Sequence, residues 1–118
     1  MKMARKNEQL LTSDLIRGNS TTLVLSILSK SPAPGFVITE LIRDRSKQLI
    51  GFKEGSIYPL LHDMQAQGLV TSEWQISEGE RPKRVYSLTP SGITELERRA
   101  TAWREFAKGM NLVLDGGD

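Results

Sequence analysis

Between residues 93 and 114 the apolar side chains Ile93, Leu96, Ala100, Trp103, Ala107, Met110 and Leu114 advance by three and four residues in strict alternation. A seam with that step, kept for three heptads, predicts one long helix with an apolar stripe that something must cover. Thr89-Pro90 opens it as an N-cap residue followed by proline at the first helical position, where the missing N–H costs nothing. The expected helix spans residues 90–114, and residues 115–118 are expected to form a disordered tail. A chain of 118 residues has little core left to cover such a stripe. A second copy of the chain is the expected partner, with Ile93, Leu96, Ala100, Trp103, Ala107 and Met110 at a homodimer interface. The alternative is that the helix packs back on the chain's own first helix.

The rest of the chain reads as short elements. Residues 1–12 are polar and patternless apart from Leu10-Leu11 and are expected to form a flexible arm. Leu23, Val24, Ile27 and Leu28 mark a first helix ending near Lys30, its start obscured by Gly18-Asn19-Ser20-Thr21-Thr22, which are poor helix formers. Ser31-Pro32-Ala33-Pro34-Gly35 reads as a loop. Ile38, Leu41, Ile42 and Leu49 stripe a second helix, with Gly51 at its end or in the turn beyond. Ile57, Leu60, Leu61 and Met64 stripe a third at offsets 0, 3, 4 and 7. Ser56 as its N-cap puts Pro59 at the third helical position, where an amide is unpaired in any case, and Gly68 caps the far end. Val70, Ser72, Trp74 and Ile76 alternate with polar residues, and Arg84-Val85-Tyr86-Ser87-Leu88 follows as a second strand. Residues 77–83 form the polar tip between them.

Composition removes whole classes of chemistry. Cysteine is absent and His62 is the single histidine, which leaves no thiol nucleophile, no disulfide scaffold and no metal cluster within one chain. Carboxylates are scattered along helices and glycines occur singly at element ends, so neither an acid–base pair nor a phosphate-cradling loop can be assembled. The expectation is therefore no enzyme, no catalytic residue, no metal and no cofactor. Met1-Lys2-Met3-Ala4-Arg5-Lys6 has the basic start of a leader but no apolar stretch after it, and no run is long enough to span a bilayer. The chain reads as cytoplasmic, with no membrane partner.

Three short helices and a hairpin are the parts of a winged helix-turn-helix, here expected over residues 13–89: mostly α with a small β-hairpin (α+β), continued by the long C-terminal helix. The third helix, residues 56–67 with its cap, carries Gly55, Tyr58, His62 and Gln65 opposite its apolar stripe, and Ser56 and Pro59 at its start. Such a face suits base edges, and the helix N-terminus suits a phosphate. Lys53 belongs to a locally basic stretch in which Arg43, Arg45, Lys47 and Lys53 stand against Asp44. The wing tip supplies Arg81, Lys83 and Arg84, offset by Glu78 and Glu80. The expected DNA-binding set is Lys53, Ser56, Tyr58, Pro59, His62, Arg81, Lys83 and Arg84, and double-stranded operator DNA is the expected partner. The same parts also serve as protein-interaction modules without a DNA role, which is the alternative function.

Four strings narrow the choice. Gly55-Ser56-Ile57-Tyr58-Pro59-Leu60-Leu61-His62 resembles the recognition-helix signature of the PadR-like transcriptional regulators. Gly68-Leu69-Val70 with Trp74 is similar to the segment that follows it. So is Lys83-Arg84-Val85-Tyr86-Ser87-Leu88-Thr89-Pro90-Ser91-Gly92. Leu15-Ile16-Arg17-Gly18 with Leu23-Val24-Leu25 resembles the family's first helix. The resemblance runs in register from about residue 15 to 105. It departs before the second helix, where Pro34-Gly35-Phe36 stands in place of the family's frequent His-Gly-Tyr. The resemblance implies a homodimeric, ligand-responsive repressor with a single C-terminal dimerisation helix, packed against the partner's first helix. It also implies a site for a small planar or aromatic effector at Trp103, since drug-responsive members hold such ligands between two copies of a tryptophan. In the residues themselves Trp103 is first a large apolar anchor.

Overall fold

A computed structural model describes residues 14–53 and 55–116. The elements follow as α1 (Ile16–Leu28), β1 (Ala33–Pro34), α2 (Gly35–Arg45), α3 (Ile57–Ala66), β2 (Val70–Gln75), β3 (Lys83–Leu88) and α4 (Pro90–Leu114). This is the winged helix-turn-helix with a long C-terminal helix that the sequence predicts. Residues 1–12, read as an arm, lie outside the described part, as do 117–118 of the predicted tail. The Asp115 and Gly116 amides close α4 by donating hydrogen bonds to the Asn111 and Val113 carbonyls. No helix among the described residues is long and apolar enough to cross a membrane.

The polar run Gly18–Thr22 lies inside α1. Asn19 Nδ2 donates to the Leu15 carbonyl at 2.7 Å and the Ser20 hydroxyl to that of Ile16 at 2.6 Å. These side chains back-bond to the preceding turn, so they need not compete with the helix for its amides. What holds α1 is burial of Val24, Leu25, Ile27 and Leu28 against Ile38, Leu61, Met64 and Val70, each side chain contributing about 1.5–3 kcal/mol.

Two local readings change. Ala33–Pro34, read as loop, is a short strand paired antiparallel with β3 (Ala33 opposite Tyr86), which makes the sheet three-stranded in the order β1-β3-β2. Proline is tolerated there because β1 is an edge strand, where a missing N–H breaks no ladder. The second change concerns Leu49, which does not share the α2 stripe. α2 stops at Arg45, and Leu49 is exposed in the following turn. Lys47 and Gln48 take positive φ (54° and 71°). Their amides bond to the Asp44 and Arg43 carbonyls at 3.1 and 2.8 Å, the crossed closure of a Schellman motif without its usual glycine. Ile50 and Phe52 pack on the core instead.

α3 ends as predicted. Gly68 (φ +78°) donates to the Gln65 carbonyl and Leu69 to that of Met64, both at 3.0 Å, and the left-handed φ explains why glycine stands there. The start of α4 is fastened to this turn. Thr89 Oγ1 accepts from the Gly92 amide at 3.0 Å and donates to the Gly68 carbonyl at 2.6 Å, while the Thr89 amide donates to Leu69 O. Replacing Thr89 with Ala removes the cap and one further hydrogen bond, and is expected to cost about 2 kcal/mol. Thermal denaturation checks this, and an unchanged melting temperature contradicts it.

Candidate nucleic-acid interface

α3 is anchored by Ile57, Leu61 and Met64, all buried. One helical side away, Tyr58, His62 and Gln65 are exposed and share one face, since offsets of four and three bring side chains into line. Pro59 sits at the third helical position, exposed, as its missing amide requires. Ser56 occupies the N-cap position without capping. Its backbone is already helical (φ −83°, ψ −22°), and its hydroxyl donates backwards to the Lys53 carbonyl at 2.7 Å. The first-turn amides of Ile57 and Tyr58 therefore donate no bond to the Ser56 side chain. Beside this helix start Arg17, Ser20, Lys53 and Ser56 rim a hollow of about 220 Å³ floored by Ile16, Phe52 and Leu60. Two cations at a helix N-terminus make this end of α3 electropositive.

Tyr58 is half exposed yet held. A Cβ built on Gly35 would come within 2.7 Å of Tyr58 Cε1, so the ring lies over the start of α2 and a side chain at position 35 would displace it. From sequence alone Gly35 is a turn residue; the contact joins two helices and has no local signal.

The wing is the segment between β2 and β3, turning at Gly79 (φ +80°). Arg81 is exposed. Lys83 opens β3 opposite Gln75 and lies 3.8 Å from Glu80, an exposed pair that solvent screens. Arg84 is more constrained. Its Nε donates to Ser72 Oγ at 2.9 Å, and Ser72 Oγ donates to Gln65 Oε1 at 2.8 Å. The guanidinium also lies 5.9 Å from the ring centroids of both Trp74 and Tyr86, within cation–π range. Ser72, Trp74, Arg84 and Tyr86 share one face of the hairpin because Ser72 pairs with Tyr86 and Trp74 with Arg84. α3 and the wing are thus joined by side chains from three elements. Gln65 was placed on the exposed face by its spacing; its tie to the wing depends on strand register.

The long helix divides in two. Leu96 packs on the chain's own core, and Ala100 is half-buried beside α1. A groove of about 800 Å³ separates α1 from α4, with Leu15, Thr22 and Leu23 on one wall and Leu96, Ala100 and Trp103 on the other. Trp103 is half exposed at its edge. Glu95 accepts hydrogen bonds from Arg98 and Arg99 on the same helix, which hold its carboxyl down at about 2. Farther along, Met110 and Leu114 of the seam are exposed, as are Phe106 and Val113. A single-seam heptad template leaves out Phe106 and Val113, which widen the apolar stripe on one side.

The chain matches the transcriptional regulator PadR-like family over residues 24–98. A crystal structure of a PadR family transcriptional regulator from Eggerthella lenta superposes with a TM-score of 0.76 at 30% identity, over 88% of this chain and 88% of that one. The negative transcriptional regulator PadR of Bacillus subtilis is 32% identical over 73 residues, which is 62% of this chain and 40% of that protein. Its crystal structure in complex with operator DNA superposes with a TM-score of 0.63 at 29% identity, over 68% of this chain and 45% of that chain. A transcriptional regulator of Mycobacterium tuberculosis is 35% identical over 68 residues, 58% of this chain and 63% of that protein. The matched segments thus span under half of the Bacillus protein and under two thirds of the Mycobacterium one.

Proposed function

The chain belongs to the PadR-like family of transcriptional regulators, and on that premise we propose that it is a repressor that binds a palindromic operator as a homodimer and releases it on binding an effector. The observation that carries this reading is the α3 face. A helix pinned by three buried anchors presents Tyr58 and His62 outward, with a basic hollow at its start and the wing at its side. Ser56, Tyr58, Pro59 and His62 lie nearest the bases in the major groove. Lys53, Arg81, Lys83 and the Nη groups of Arg84 hold phosphates, contacts that set register without reading sequence. The relative solved with operator DNA supports the same partner for this chain.

The dimer follows from the exposed stripe of α4, which runs on past the part of the helix that packs against α1. Two-fold symmetry then places the half-sites about one helical turn apart. Hydroxyl-radical footprinting of the DNA upstream of the chain's own gene tests this directly. Two protected patches on one face of the duplex, about one turn apart, are expected; uniform cleavage contradicts the reading.

Phosphate contacts carry their own signature. Lys53→Ala is expected to weaken binding to every sequence and to lower the slope of log affinity against log salt by about one unit. An unchanged slope removes Lys53 from the phosphate set.

The α1–α4 groove is the effector site in this account. Trp103 offers a ring face to a planar or aromatic ligand, and the ligand acts by favouring one dimer geometry over the other. Trp103→Ala is expected to abolish binding of planar aromatic dyes, read by dye fluorescence. Retained dye affinity moves the effector site elsewhere.

A further inference from the structure

Arg84, Ser72 and Gln65 form a hydrogen-bond relay that runs from the wing to α3. A guanidinium has only donors and stays protonated, so Arg84 Nε must donate to Ser72 Oγ (2.9 Å). Ser72 Oγ in turn donates its hydroxyl hydrogen to Gln65 Oε1 at 2.8 Å. Trp74 and Tyr86 bracket the guanidinium and keep the origin of the relay in place. The amide of Gln65 is thus held with its oxygen at Ser72, and its Nε2 makes no hydrogen bond among the described residues, on a helix face exposed together with Tyr58 and His62.

We infer that Gln65 is a specificity-determining residue that reads a hydrogen-bond acceptor on a base edge, guanine O6/N7 or thymine O4, with its amide orientation set by Arg84 through Ser72. This rests on the operator-binding reading of α3. A freely turning glutamine matches adenine best, because adenine offers N7 and N6–H₂ side by side for a bidentate contact. That contact needs the amide oxygen and nitrogen turned together toward one base. Here the oxygen is held toward β2, so adenine offers the donors only N7, beside its own competing N6–H₂ donor, and cytosine offers them no acceptor on its major-groove edge. The relay also makes Arg84 a positioning residue for α3, in addition to any phosphate it holds.

Selection of binding sites from a randomised duplex pool by the full chain tests the inference. Gln65→Ala identifies the position, as the one base pair whose preference flattens. At that position the wild-type chain is expected to favour guanine or thymine over adenine and cytosine by about ten-fold. Ser72→Ala releases the amide, and adenine is expected to rise to parity with guanine and thymine. Gln65→Glu keeps the bond from Ser72 but turns an acceptor outward, so the preference is expected to move to cytosine, whose N4–H₂ donates. Thermal melts confirm that these surface variants are folded. Adenine selected by the wild-type chain, a preference unmoved by both Ser72→Ala and Gln65→Glu, or no position flattened by Gln65→Ala overturns the inference while operator binding stands. A pool from which the wild-type chain enriches no sequence overturns both.

Discussion

Met110→Asp is expected to convert the protein to a monomer and to lower its operator affinity by two orders of magnitude or more. Met110 is 44% exposed in the isolated chain and projects beyond the part of α4 that meets α1, so the substitution leaves the monomer's own core untouched. In the proposed dimer the same position is covered by the partner. On its own helix a carboxylate there has only Phe106, Ala107, Val113 and Leu114 one turn away, and once covered it must be desolvated or displaced, at a cost of about 3 kcal/mol or more. That is roughly a hundred-fold in the dimer dissociation constant. A monomer presents one α3 to one half-site and loses the gain from linking two such contacts, about 10²–10⁴. Light scattering reads the mass, and a dimer that persists shows that the exposed stripe is not the interface. Leu96→Asp, on the same seam, cannot make this distinction, because Leu96 is packed against the chain's own core.

Gly92→Ala is the second large effect, and it acts on the fold. A Cβ at position 92 would clash with the Leu69 carbonyl oxygen and lie 3.2 Å from Leu88 Cδ2. The obstacle is backbone, in the turn between α3 and β2, and that carbonyl already accepts from the Thr89 amide. α4 must therefore move as a body or shed its first turn, at an expected cost of about 3 kcal/mol. For a domain of marginal stability this lowers the melting temperature by about 10 °C or more. Gly18→Ala is the matched control. It lies inside α1 with nothing within 4 Å of the added methyl, and there alanine is expected to stabilise by about 0.5–1 kcal/mol. Equal melting temperatures for the two variants contradict the close approach at Gly92. The same approach fixes the angle at which α4 leaves the wing domain, and hence the separation of the two α3 helices in a dimer.

What the sequence disclosed were features whose cause lies within a few residues. Thr89-Pro90 and the seam set the bounds of α4, because a cap and a period are both local. Pro59 and Gly68 bracketed α3 for the same reason, and the offset of Tyr58, His62 and Gln65 from Ile57, Leu61 and Met64 gave its two faces. What it concealed depends on partners distant in the chain. Ala33–Pro34 is a strand only because β3 passes beside it. Leu49 leaves the α2 stripe because Lys47 and Gln48 take left-handed backbone that neither residue type announces. Ser56 takes the cap position by spacing, but its helical backbone turns the hydroxyl back to Lys53. The contact of Gly35 with Tyr58 and the relay from Arg84 to Gln65 need helix packing and strand register, which no single segment encodes.

Sequence-specific, electrostatically assisted DNA binding through α3 is read by fluorescence anisotropy of the intact chain against labelled duplex from upstream of its own gene, beside a shuffled duplex, across a salt series. Tighter binding to the upstream duplex is expected, with an affinity for both that falls steeply as salt rises. Equal, feeble and salt-insensitive binding to the two contradicts it.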